Sequence, residues 1–530
     1  MKTICRLHTV LVFLILSGAF LHLNAQSNFY KFIDLSPANP TDYFISQCWN
    51  AMGMDSSNNL YVGFLFTKTN QPDNCGVFKY SVRRDTVTYL GQFIDVLKSA
   101  NNYPSNTEAV PKGHTEWPFI NGKLYIGTMP FHEVCKAPPY LSNMNLYGTH
   151  RGSHLFSIDT GTNRISDLSV NKPGGVFQPY QGIVGIQIIP DSGSIAMYSE
   201  PAGDLMVYSI SNDNFRVVAR GDSTYLGQRI GRSITTYKSK VFYEIGWGPM
   251  GLDNSVVSKV FRYDLSTRAL KQLTKVTSGG FWMPRAQTKD GRYTYILTIL
   301  GNLYKLDAEA DSISFITNVE KGDLEYVHAD GTEPYKLYCL ALNPQETKLY
   351  LVPSIGLDIT TKPQTGHLVE YNLQTKCLID FGLLSNGVYT GNNVRDREGR
   401  IYFTWHDYSG HQGRLLQLDV TKLPAGDTLR KPGITGIHEV EVAGVTEVGT
   451  NYPNPFNPST IIPYELATEQ HVTITVYDIL GRQIAVLVDN NETAGRHHAV
   501  FNAQGLSSGI YVYQFRSNHH VENRHMLFIK

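Results

Sequence analysis

The chain has 530 residues, and its 46 Lys+Arg are balanced by 46 Asp+Glu. That balance excludes the basic field which holds nucleic acid or an acidic membrane surface. Charged residues are 17% and aromatic ones 12%, with 32 tyrosines, a mix that suits an all-β architecture better than a helical bundle.

At the N-terminus Lys2 and Arg6 precede an apolar run, Val10 to Leu16, and then small residues. This reads as an export signal over residues 1–25, cleaved after Ala25, because the run is too short to span a bilayer. No later segment is apolar enough to cross one, so no transmembrane segment is expected. Cys5 leaves with the signal. The remaining five cysteines, Cys48, Cys75, Cys135, Cys339 and Cys377, are too sparse for a disulfide framework. Any disulfide is expected among the first three.

Seven times the chain then gives a turn followed by a short strand of aromatic and β-branched residues. These are "DSSNNLYVGF" from Asp55, "INGKLYIGT" from Ile120, "PDSGSIAMY" from Pro190 and "YKSKVFYEI" from Tyr237. "KDGRYTYIL" from Lys289, "PQETKLYLV" from Pro344 and "REGRIYFTW" from Arg397 complete the set. Each is preceded by another apolar segment and followed by a strand–turn–strand unit such as "VFRYDLSTRALKQLT". Four strands per repeat, recurring every 45 to 70 residues or about one blade, mark a seven-bladed β-propeller over residues 26–424. The seventh repeat stops one strand short, and "FYKFIDL", Phe29 to Leu35, is the spare strand expected to close the ring and remove its edges.

Residues 425–448, with "LPAGDTLRKPG", read as a linker. From Asn451 four prolines (Pro453, Pro455, Pro458, Pro463) impose an extended lead. Short alternating strands follow, with Val472, Ile474 and Val476 on one face, which predicts a small C-terminal Ig-like β-sandwich. The strings NYPNPFNPST, VYDILGR, AGRHHAVF, LSSGIYVY and MLFIK in residues 449–530 resemble the type A C-terminal sorting domain of the type IX secretion system. The resemblance implies recognition by that machinery in a Bacteroidota-type organism. It also implies passage through the outer membrane and then release or surface attachment. The histidines of this segment are read as domain surface rather than a metal tract.

In a propeller, the starts of the inner strands and the loops between second and third strands open on one face. That face receives His114, His132, His406, Glu116, Trp117, Tyr180, Arg229, Arg232, Trp247, Trp282 and Arg285. In the segment "GHTEWPFINGKLYIGTMPFHE", Asn121-Gly122 is a two-residue hairpin turn. It pairs Ile120 with Lys123 and sets His114 opposite Met129. That hairpin, with "GSHLFSIDTGT" and "GIVGIQIIPDSGSIAMYSEPAGDLMVYS", resembles the propeller polysaccharide lyases, including ulvan lyases, with residues 133 to 153 reading as an insertion. Such enzymes act on acidic polysaccharide by β-elimination. The resemblance implies that His114 and His132 are the paired histidines, Tyr180 the acid/base, and Arg229 or Arg232 the carboxylate clamp. Glu116, Trp117, Trp247, Trp282, Arg285 and His406 would then bind substrate. A non-catalytic propeller that binds a glycan or protein through the same face fits the residues equally. No cysteine pair or dense acidic loop specifies a cofactor or a metal.

Overall fold

The turn that recurs in the sequence joins the two inner strands of an antiparallel blade. Seven blades follow one another, the sixth and seventh joined by the parallel pairing of Cys339 and Leu340 with Gly391 and Asn392, in the computed structural model. It describes residues 28–529 except 47, 49, 69–71, 73, 105–109, 111, 114–115, 130–150, 180, 201–202, 221–233, 247–256, 278–281, 299–300, 320–335, 338, 355–365, 386, 407–411, 431–446, 449–450, 452, 467, 494 and 518–520. Blade three is the plainest case: Gly182–Ile189, Ser194–Glu200, Leu205–Ser209 and Asn214–Ala219 run inner to outer in chain order.

Each turn repeats one backbone solution. At the outer hairpin of blades one to six a residue with positive φ closes the turn: Asp85, Asn163, Asp213, Arg268, Asp311 and Lys376, all between 50° and 61°. Asp and Asn accept that left-handed conformation more readily than most side chains. At the inner hairpin a polar residue just before the turn binds the backbone beyond it. Asp55 accepts N–H bonds from Ser57 and Asn59, Asn343 from Thr347 and Lys348, and Asp396 from Arg400.

Blade seven confirms the expected closure. Its strands Val388–Asn392, Ile401–His406 and Gly413–Leu418 are completed by Tyr30–Asp34, which pairs antiparallel from Tyr30↔Leu418 to Asp34↔Arg414. Blade six carries a fifth strand, Asp427–Arg430, on the outside of Leu378–Leu383. The stretch read as linker therefore begins as sheet: the outer edge of blade six offers unpaired N–H and C=O groups, and these four residues take them.

The core runs between blades and is rich in phenol rings, among them Tyr61, Tyr80, Tyr198, Tyr243, Tyr350 and Tyr402, each at most 2% exposed. Several of their hydroxyls reach carboxylates. Tyr80 donates to Asp85 at 2.6 Å, Tyr350 to Glu370 at 2.6 Å and Tyr402 to Asp396 at 2.8 Å. This accounts for the tyrosine-heavy composition, since one side chain fills the gap and satisfies its own polar tip. Burial, with these carboxylates, raises all three phenols above their ordinary pKa.

The chain divides into two compact units, residues 1–433 and 434–530. The second is a sandwich of three strands (Glu447–Val448, Ser459–Leu466, Gly495–Asn502) against four, in the order Gln483–Glu492, Gln470–Asp478, Gly509–Arg516, Val521–Phe528. Val472, Ile474 and Val476 are fully buried, as the alternation predicts. The proline-rich lead inserts Phe456 between Phe501 and Phe528, and its N–H bonds Leu527 O at 3.0 Å.

Candidate functional site

Inner strands line a propeller's central channel, and here their polar residues link blades around it. Thr390 donates to Cys48 O (blade seven to one), Gln287 to Thr236 O (five to four) and Asn393 to Gln287 O (seven to five), at 2.8, 2.7 and 2.9 Å. Across this ring Arg285 of blade five meets Glu116 of blade two, Nη2 to Oε2 at 2.7 Å. Blades three apart in a ring of seven stand nearly opposite, so this ion pair bridges the channel. Gln187 of blade three donates to the same oxygen at 3.4 Å, and the Arg285 N–H bonds Asn392 Oδ1 at 3.0 Å. The Arg285 side chain is 5% exposed and that of Glu116 29%. The cation is therefore the fixed member and the carboxylate the wetter one. Gln187 was missed in the sequence, though a lone amide in the apolar run "GIVGIQII" was its signal.

The hairpin that carries Glu116 differs from its expected register. Ile120 pairs with Lys123 and Phe119 with Leu124, but further along Gly113 pairs with Thr128 and Lys112 with Met129. The ladder has slipped by two residues, so Met129 faces Lys112 rather than His114. Pro118 has no N–H to give, and the Trp117 N–H leaves the blade to bond Met52 O of blade one at 2.8 Å. Trp117, expected on the ligand face, is instead 1% exposed. A Cβ on Gly63 would lie 2.8 Å from its ring and one on Gly113 3.1 Å, so these glycines make the slot it fills. It is a packing residue between blades one and two.

His406, also expected at the ligand, is 2% exposed at the end of its strand. Trp405 beside it lies under the Arg414 guanidinium and against Phe32. Trp282 opens the inner strand of blade five, Trp282–Gln287. His114, His132, Tyr180, Arg229, Arg232 and Trp247 lie outside the described residues, as does Cys135. Of the expected site residues the structure thus joins Glu116 to Arg285 and buries Trp117 and His406.

Two further histidines of the propeller are held structurally. His154 is fully buried, with Nδ1 3.8 Å from Asp167, and His367 Nδ1 lies 2.8 Å from Asp380. Cys75 and Cys339 are buried thiols whose pKa burial pushes up to about 12, which makes them inert as nucleophiles. Among the described residues no group of three or more His, Cys, Asp or Glu could hold a metal ion.

Residues 450–530 match the family described as secretion system C-terminal sorting domain. A search of curated proteins gives no match. Similar solved structures include PorZ, a surface component of the type IX secretion system of Porphyromonas gingivalis. It is 10% identical with a TM-score of 0.43, over 93% of this chain and 61% of that one. An oligogalacturonate lyase in complex with manganese is 12% identical with a TM-score of 0.44, covering 76% and 94%. The WD40 repeats of RRP9 are 8% identical with a TM-score of 0.43, covering 74% and 98%. The sorting domain implies interaction with the type IX machinery and a secreted or cell-surface location. No helix among the described residues is long and apolar enough to cross a membrane.

Proposed function

We propose that this protein, exported through its sorting domain after removal of residues 1–25, binds acidic polysaccharide on the loop-rich face of its propeller and cleaves it by β-elimination. The observation that carries the reading is the channel. A nearly buried guanidinium, Arg285, already holds a carboxylate there, beneath the face that collects His114, His132, Tyr180, Arg229, Arg232 and Trp247 in the sequence. Elimination across a uronate requires that the sugar carboxylate be neutralised, so that the adjacent C–H becomes acidic, and that a base remove the proton. Arginine supplies the first in bidentate form. The histidines or Tyr180 supply the second.

The reaction leaves an unsaturated sugar that absorbs in the ultraviolet. Incubating the mature chain with a panel of uronate polymers should give that absorbance on at least one of them. His114→Ala and His132→Ala should each lower the rate by about 10²–10³. Both should keep stability within about 0.5 kcal/mol, the range of surface substitutions. Binding without product would leave a glycan-binding propeller. Neither binding nor product on any uronate polymer would refute the reading.

A further inference from the structure

Turns between strands are ordinarily polar, because their side chains stand in water. The turn over residues 478–482 of the sorting domain departs from this. Ile479 and Leu480 at its tip are 73% and 74% exposed, more than any other large apolar side chain among the described residues. The turn beneath them is firmly built. Asp478 Oδ1 accepts the N–H groups of Leu480 and Arg482, each at 2.9 Å, and its other oxygen takes Arg482 Nε at 2.6 Å. Gly481 supplies the left-handed position at φ 76°, and its N–H bonds Asp478 O at 3.0 Å. The polar groups are thus spent on the turn itself, and the two aliphatic side chains are held outward. A partner that covers them has little backbone left to order, which lowers the cost of binding.

The tip does not stand alone. Asp478 pairs with Tyr511, which sets the turn at the Ile510 end of the four-stranded sheet. Ile510 and Leu527 are cross-strand partners there, 50% and 37% exposed, and Ile529, two residues on, is 49% exposed. Alternation turns all three away from the buried row Val472, Ile474 and Val476. Aliphatic side chains gathered this way present roughly a few hundred Å², the size that marks a functional contact on a monomer. That is well short of the roughly 800 Å² each partner gives to a stable dimer. The patch therefore suits a contact that is made and released, as an exported chain makes with its machinery, rather than permanent self-association.

We propose that this end of the sandwich, resting on the sorting role of residues 450–530, docks into an apolar groove on a protein of the type IX machinery. Ile479 and Leu480 enter the groove, and Ile510, Leu527 and Ile529 cover its margin. The test expresses the full chain in a type IX-competent host and compares the share outside the outer membrane with the share retained. Each aliphatic side chain lost from a buried contact weakens it about tenfold, so Ile479→Ser/Leu480→Ser should lower export at least about tenfold. The purified variant should melt as the parent does, since both positions are exposed. Leu480→Met, which keeps the apolar surface, should export as the parent, and so should Val500→Ser, an exposed position on the other sheet. Normal export of the double variant, or an equal loss in Leu480→Met or Val500→Ser, would overturn the proposal. So would a parent dimer in sedimentation that the double variant abolishes, because a second copy would then own the patch. A chain ending at residue 433 separates the two levels: if it is retained while the double variant is exported, the sorting role stands and the patch alone is wrong.

Discussion

Lys376 and Arg268 hold the left-handed position of the outer hairpin where the other described blades have Asp or Asn. A long side chain gains nothing there: the Lys376 N–H already closes the turn onto Asn372 O at 2.9 Å, and its Cβ bears the steric cost. Lys376→Gly should therefore stabilise the propeller by about 0.5–1 kcal/mol, read as a raised melting temperature, whereas Lys376→Ala should not. Glu116 is the opposite case. Replacing it with Gln leaves Arg285 buried beside a neutral amide. Breaking a buried pair costs about 3–5 kcal/mol, but the exposure of Glu116 reduces this, and about 1–3 kcal/mol is expected in denaturant melts of Glu116→Gln. An unchanged midpoint would show that the bridge across the channel contributes nothing to stability.

Among elements, the outer half of blade two is tied down by one carboxylate. Burial alone would raise the Asp167 pKa, but the nearby His154 imidazole and the hydrogen bonds from Asn102 and the Ser169 N–H hold it below the ordinary 3.8. A carboxyl depressed in the folded state stabilises fully above its unfolded value and loses that contribution as pH falls through the folded one. Melts of the parent between pH 5 and about 2 should thus lose stability below about pH 4. Asp167→Asn, already lacking the charge, should be less stable at neutral pH and show a shallower acid slope. Equal slopes would assign the acid loss to other carboxylates. The fifth strand of blade six is an element of another kind. Nothing in "DTLR" demands a strand, yet the open edge beside Leu378–Leu383 recruits it.

For the whole molecule, closure is the property on which the ring depends. Tyr30–Asp34 lies almost four hundred residues from the strand it joins, and without it blade seven exposes Gly413–Leu418 as an edge. Deleting residues 26–36 should abolish the cooperative melt of the propeller or convert the protein to aggregates. A fragment of residues 26–433, which keeps both the closing strand and the fifth strand of blade six, should melt as one unit without the sorting domain. The same fragment should fail to leave the cell in a type IX-competent host, because its sorting domain is gone. Export of the fragment would contradict the role assigned to residues 450–530.

Much of this was legible along the chain. The seven turn–strand repeats, the spare N-terminal strand and the buried row Val472, Ile474 and Val476 follow from alternation and turn chemistry, which report how each short segment meets solvent. The sequence by itself thus determined the propeller, its closure and the sandwich that sends it out. Only the tertiary structure decided that Trp117 fills a slot between two blades, that Pro118 shifts its hairpin by two residues, and that His154 and His406 are buried. It also decided that Glu116 faces Arg285 across the channel. Each of these depends on what other strands and blades bring against the residue, from Met52 and Gly63 at Trp117 to Arg285 at Glu116. Local periodicity specifies which face of a strand is buried; what that face meets is set only when the blades pack.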